Sequence, residues 1–293
     1  MQNDLEHVLA GQNKLGEGPL WNAEEQALYW VDIESHCFYR YTPKTGKYER
    51  FDVGVMVGVL ASRAAGGLVM ATKKGFAFWE AQTGLRFIAD PEAHKPHNRF
   101  NDGAVDSMGR FWAGTMCFPD DTCEQPEGSL YRLDPDLSLQ MMETGIGISN
   151  GIGWSPDNRL MYFTDTPLHM IYVYNFDAAS GAIENRRPFI HTPDAKGVPD
   201  GLAVDSEGFI WSARWGGGKI TRYDPEGRVE REIRLPVQYP TSCAFGGPSL
   251  DELYITSAWT ALSEEKRIQQ PFAGDLFRLR PGVKGLKEPK FAG

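Results

Sequence analysis

Histidine and cysteine are too few and too scattered in this chain to build the common soft-metal or redox sites. Its 293 residues include six histidines and four cysteines. No His-Glu-x-x-His and no Cys-x-x-Cys spacing occurs, which argues against a metalloprotease helix, a zinc ribbon and a dithiol redox motif. Cys37, Cys117, Cys123 and Cys243 are read as structural or incidental. Cys117 and Cys123 share one loop and stand close enough to bridge, but thiols of a cytosolic protein are expected to stay reduced. An excess of positive charge is also missing. Thirty Lys and Arg face 39 Asp and Glu, a net charge of −9. Such a surface repels phosphate backbones, so nucleic acid is not an expected partner. No apolar run reaches membrane-spanning length, so no membrane association is expected. The opening residues MQNDLEHVLAGQ show no basic region followed by an apolar one. No secretory signal is therefore expected, and the cytoplasm is the expected location. No feature marks an obligate protein partner.

Long helix-favouring runs are scarce as well. Thirty-two Gly and 19 Pro punctuate short apolar stretches. That suits many strands joined by tight turns, in one all-β domain over residues 1–293. A repeat organises these stretches. One strand reads ALYWVDI at 27–33, GLVMAT at 67–72 and RFWAGT at 110–115, then RLMYFTDT at 159–166, FIWSARW at 209–215 and ELYITSAW at 252–259. Polar turns such as DSMG at 106–109 and DSEG at 205–208 precede it. Another strand follows each copy, and a further one follows most copies. The apolar-polar alternation has the period of two that half-buried strands require. Six four-stranded antiparallel units of this size predict a six-bladed β-propeller. The last unit ends in KGLKEPKFAG, a poor strand, so the N-terminal DLEHVLA is expected to supply the missing edge and close the ring.

The first strand of every propeller blade lines the central channel. Gly18, Gly58, Gly103, Gly151 and Gly201 open these strands, with Cys243 in the sixth place, at intervals of 40 to 50 residues. The residues just before them are Glu17, Val57, Asp102, Asn150, Asp200 and Ser242. Four of the six carry a carboxylate or amide oxygen at one phase of the repeat. Asp-Gly and Asn-Gly are also ordinary turn pairs, but apolar strands rather than hairpin returns follow them here. Carboxylates gathered in a channel repel one another and lose hydration, and a divalent cation relieves both costs. An all-oxygen set favours a hard ion, Ca²⁺ first, with Mg²⁺ and Mn²⁺ allowed. Zn²⁺ and Fe²⁺ are also compatible with these ligand types. So few protein oxygens leave coordination positions open for water and substrate.

LGEGPLW at 15–21, RFNDG at 99–103, SNGIGWSPD at 149–157 and PDGLAVDSEG at 199–208 resemble the SMP-30/gluconolactonase/luciferin-regenerating-enzyme family. The resemblance spans nearly the whole chain. It implies a metal-dependent lactonase that hydrolyses a small sugar lactone to the aldonic acid. It also implies Glu17, Asn150 and Asp200 as metal ligands, and Arg99 and Asn101 as substrate contacts. Asp102 stands in the same motif, without a firm ligand role, and is expected beside the substrate. Many members carry acidic residues after GTM, whereas this chain has Cys117, Phe118 and Pro119 there. Phe118 is expected to contact substrate. The loop from Phe118 to Glu127 is expected either to overhang the channel or to be a plain loop within its blade. Asp200 or a metal-activated hydroxide is expected as the base, and Arg99 as the group opposing developing negative charge. A related aryl-ester or organophosphate hydrolase, and a non-catalytic calcium-binding regulatory propeller, are the alternatives. Gly147 to Gly151 matches the spacing of a serine-hydrolase elbow, but the following residues read as a strand, so Ser149 is not an expected nucleophile.

Overall fold

The computed structural model describes residues 5–118 and 126–293. Six four-stranded antiparallel sheets follow one another around a ring. Blade 1 runs from Gly16–Asn22 through Ala27–Asp32 and Cys37–Thr42 to Lys47–Asp52. The first strands of blades 2 to 5 are Val57–Ser62, Asn98–Val105, Ser149–Trp154 and Val198–Val204. Blade 6 contains Pro240–Gly246, Glu252–Ser257 and Leu276–Leu279, and its outer strand is the N-terminal Glu6–Leu9. The expected closure is therefore present: the N-terminal strand completes the sheet built from the last three strands of the chain.

Local chemistry explains the hairpins. The turn aspartate of blade 3, Asp106, accepts the N–H groups of Met108 and Arg110 at 2.9 and 3.1 Å through one oxygen. Its other oxygen accepts the Trp112 indole N–H at 3.0 Å. Asp205 repeats this in blade 5, with Glu207 and Phe209 N–H at 2.9 and 3.0 Å and the Trp211 indole at 2.9 Å. One side chain thus shapes the turn and locks a core tryptophan to it, the dual use for which Asp is favoured in turns. Trp30, Trp112 and Trp211 are wholly buried, and rings from adjacent blades interleave, as Trp211 does edge-on with Phe245. Burying such a side chain stabilises by about 1.5–3 kcal/mol relative to exposing it.

Two features were not legible beforehand. A short helix, Glu264–Gln269, is capped by the Ser263 hydroxyl and sits in the blade 6 connection. The C-terminal KGLKEPKFAG forms no blade strand but crosses the ring. Gly285 pairs with Asp205, and Phe291 pairs with Arg63. Phe291, fully buried, packs among Val69, Phe78 and Leu133 between blades 2 and 3. Among the described residues no helix is long and apolar enough to cross a membrane.

Candidate functional site

Each first strand breaks register with its neighbour at the position singled out by the repeat. The irregularities fall between Glu17 and Leu20, Val57 and Val59, Phe100 and Gly103, Asn150 and Ile152, Pro199 and Leu202, and Pro240 and Cys243. A bulge re-aims a side chain out of the pleat, so six bulges in phase turn six side chains toward one axis. The Asp-Gly and Asn-Gly pairs are thus bulges within strands, not hairpin turns. Glycine follows because neighbouring first strands touch there. A Cβ on Gly151 would lie 2.8 Å from the Asp200 carbonyl oxygen, and one on Gly201 would collide with the Ser242 hydroxyl.

A directional chain of hydrogen bonds crosses the site. Arg99 Nη1 donates to Asn101 Oδ1 at 2.6 Å and to the Phe100 carbonyl at 3.0 Å. Asn101 Nδ2 donates to Asn150 Oδ1 at 3.1 Å and to the Ser149 carbonyl at 2.8 Å. Asn150 Nδ2 then donates to Thr166 Oγ1 at 2.9 Å, and Thr166 donates to the Pro199 carbonyl at 2.8 Å, one peptide before Asp200. Asn101 is therefore engaged at both ends of its amide by the protein. Through these bonds Asn101 also fixes the orientation of Asn150. The Arg99 guanidinium lies 4.9 Å from the centre of the Phe118 ring.

The carboxyls sit against their own electrostatics. Glu17, Asp102 and Asp200 are each at least nine-tenths buried. Loss of hydration, and then the Asp102 charge, push the Glu17 carboxyl up to about 8. Burial raises Asp102 to about 6. Asp200 is raised well above the carboxylate range by burial, then by Glu17 and Asp102. Arg99 and single backbone N–H groups, such as Gly18 to Glu17 Oε2 at 2.9 Å, offset only part of this. Among the described residues no three His, Cys, Asp or Glu side chains are grouped so as to hold a metal ion by themselves. A cation here would take two carboxylates, Glu17 and Asp200, and complete its protein set with the Asn150 amide oxygen. The donors suit a hard cation: all are oxygen, and both carboxyls carry a burial cost that bound positive charge would lower.

Asp102 differs from the other two. It lines a cavity of about 290 Å³ together with Ser242, the ends of the first strands and Leu286 to Pro289 of the C-terminal segment. Glu17, Asn150, Asp200 and Arg99 do not line it. Phe118 stands at the opposite end, where its N–H bonds the His97 carbonyl at 2.6 Å beside the start of the blade 3 first strand. Asp102 thus borders the tail-side cavity while its charge still acts on Glu17 and Asp200. The register of the first strand shifts between Phe100 and Gly103, across Asn101 and Asp102.

The chain matches the family model described as SMP-30/Gluconolactonase/LRE-like region over residues 15–259. It belongs to the SMP-30/gluconolactonase/LRE-like family. Among relatives, a 6-deoxy-6-sulfogluconolactonase of Pseudomonas putida is 39% identical over the full length of both chains. A pentonolactonase, XacC of Haloferax volcanii, is 39% identical over 94% of each chain. Among solved structures, regucalcin of Agrobacterium tumefaciens, described as a calcium-binding protein, superposes with a TM-score of 0.95 at 30% identity, covering 99% of this chain and 98% of that one.

Within this family member the remaining expectations divide. Ser149 lies wholly buried in a strand that is followed by another strand, so the elbow spacing is accidental. Cys117 is disulfide-bonded, against the expectation of a reduced thiol. Its partner lies outside the described residues, as does most of the loop from Phe118 to Glu127, residues 119–125. Cys37 and Cys243 are free and buried. Thr166 was missed, because it follows a second strand and lies 16 residues from Asn150 and 33 from Pro199.

Proposed function

We propose that the protein hydrolyses sugar lactones, with a divalent cation held by Glu17, Asn150 and Asp200. The observation that carries this is the buried, mutually repelling pair Glu17 and Asp200, standing beside an amide whose oxygen is held away from Thr166. A protein gains nothing in stability from that grouping, and perturbed carboxyls of this kind cluster at functional sites. The names of the two lactonase relatives supply the reaction class.

When bound, the cation would supply Lewis-acid polarisation of the lactone carbonyl. Asp200 accepts a proton from the attacking water as its oxygen bonds the carbonyl carbon. The bond from that carbon to the ring oxygen breaks, and the ring oxygen takes the proton held by Asp200 to become a hydroxyl, which regenerates the carboxylate. Arg99 places positive charge near the oxyanion that forms, and its planar fork is oriented by Asn101. Phe118, against the guanidinium, narrows the approach on the side away from the tail.

The likeness to a calcium-binding regucalcin favours a second reading, in which the same three residues bind calcium without turnover. Proton release from six-carbon, five-carbon and 6-sulfonated lactones separates the two. The protein is stripped with chelator and reloaded with Ca²⁺, Mn²⁺, Mg²⁺ or Zn²⁺. Turnover lost on stripping and restored by one of these ions is expected. Unchanged turnover after stripping would overturn the metal role, and metal binding without turnover on any lactone would leave the calcium-binding reading standing.

A further inference from the structure

We propose that Thr166 is a positioning residue that decides which end of the Asn150 amide faces the channel axis. The inference rests on Asn150 being a metal ligand. An amide side chain has a donor end and an acceptor end of nearly equal size, so an asparagine ligates only if something forbids the reversed orientation. Here the chain of hydrogen bonds begins and ends in groups with no choice. A guanidinium has no acceptor, so Asn101 must present Oδ1 to Arg99 and Nδ2 to Asn150. A carbonyl has no donor, so Thr166 must give its one hydroxyl proton to Pro199. That leaves a lone pair of Thr166 Oγ1 facing Asn150 at 2.9 Å, and only the amide NH₂ satisfies it.

Reversing Asn150 would set NH₂ against NH₂ at Asn101 and oxygen against oxygen at Thr166. The Oδ1 end is thus held toward Asn101 and the axis, with a second lone pair for a cation. Thr166 also ties two ligands together. It opens the single turn Thr166–Leu168 of blade 4, its N–H is held by the Ile148 carbonyl at 3.2 Å, and its hydroxyl grips blade 5 one residue before Asp200. It touches neither substrate nor cation and acts through Asn150 and the Pro199 peptide. Groups that orient a ligand from behind typically matter by about 10–100-fold in metal affinity.

The test titrates Ca²⁺ and Mn²⁺ into chelator-stripped full-length protein by calorimetry, with urea midpoints of the stripped forms measured alongside. Thr166→Val keeps the side-chain shape and removes the hydroxyl, and Thr166→Ala repeats the removal without the branched bulk if the valine variant folds poorly. The dissociation constant is expected to rise at least about tenfold in the variants lacking the hydroxyl, while Thr166→Ser stays within about threefold of wild type. The inference is overturned if those variants bind like wild type while Asn150→Ala does not bind, or if Thr166→Ser falls as far as Thr166→Ala. If Asn150→Ala also binds like wild type, the assignment of Asn150 as a ligand fails with it.

Discussion

In chelator-stripped protein the substitution Glu17→Gln should stabilise the fold at pH 8 while removing metal binding. The glutamate side chain is 5% exposed, and one of its oxygens accepts the Gly18 N–H. Glutamine keeps that acceptor and the shape, and removes the charge. The carboxyl titrates near 4.5 in the unfolded chain and near 8 in the fold. Between those values the folded state holds more protons on this group than the unfolded state, so its contribution to stability is complete below pH 4.5 and is lost as pH rises to about 8. At about 1.4 kcal/mol per tenfold in proton affinity, that span caps the loss at about 5 kcal/mol. Asp102, carried from 3.8 to about 6, steepens the fall in the same direction. Urea unfolding of stripped wild type and variant at pH 5 and pH 8 measures it. Wild type should lose several kcal/mol over the interval and the variant markedly less. Equal slopes, or a wild type no weaker at pH 8 than at pH 5, would refute the electrostatic reasoning.

Three further outcomes follow from the same coordinates. Asp200→Ala should abolish both calorimetric metal binding and lactone turnover, and full activity in that variant would remove Asp200 from the site. Arg99→Lys keeps the charge but loses the fork that bonds Asn101 and the Phe100 carbonyl, so kcat/KM should drop about 10–100-fold. Steady-state kinetics at saturating metal check this, and an unchanged kcat/KM counts against it. Asp205→Ala removes the buried partner of the Trp211 indole and one of the carboxylates paired with Arg222, which keeps Glu207 and Glu230, and should cost about 3 kcal/mol in a urea titration, with lactone affinity unmoved.

The likeness of Glu17, Asn150 and Asp200 to one another was readable because the repeat stamps the same bulge on each blade. Periodicity placed them at one phase, and only a ring converts phase into a common axis. Closure by Glu6–Leu9 was readable for a similar reason, since five complete blades and one short of a strand leave one vacancy. The contacts of Asn101 and Asp102 were not readable. They are neighbours in RFNDG, yet one bonds Asn150 and the other lines the tail-side cavity. A bulge inverts which face a residue occupies, and its register depends on the partner strand.

Local sequence therefore determined strand order, turn chemistry, the number of blades and the set of candidate oxygens, because each depends on near neighbours or on a period. The tertiary structure alone decided the course of the tail across the ring, the pairing of Asn150 with Thr166 and the upward push on the carboxyls. Each of those requires groups distant in the chain to share one buried space, where hydration is lost and every donor must find an acceptor.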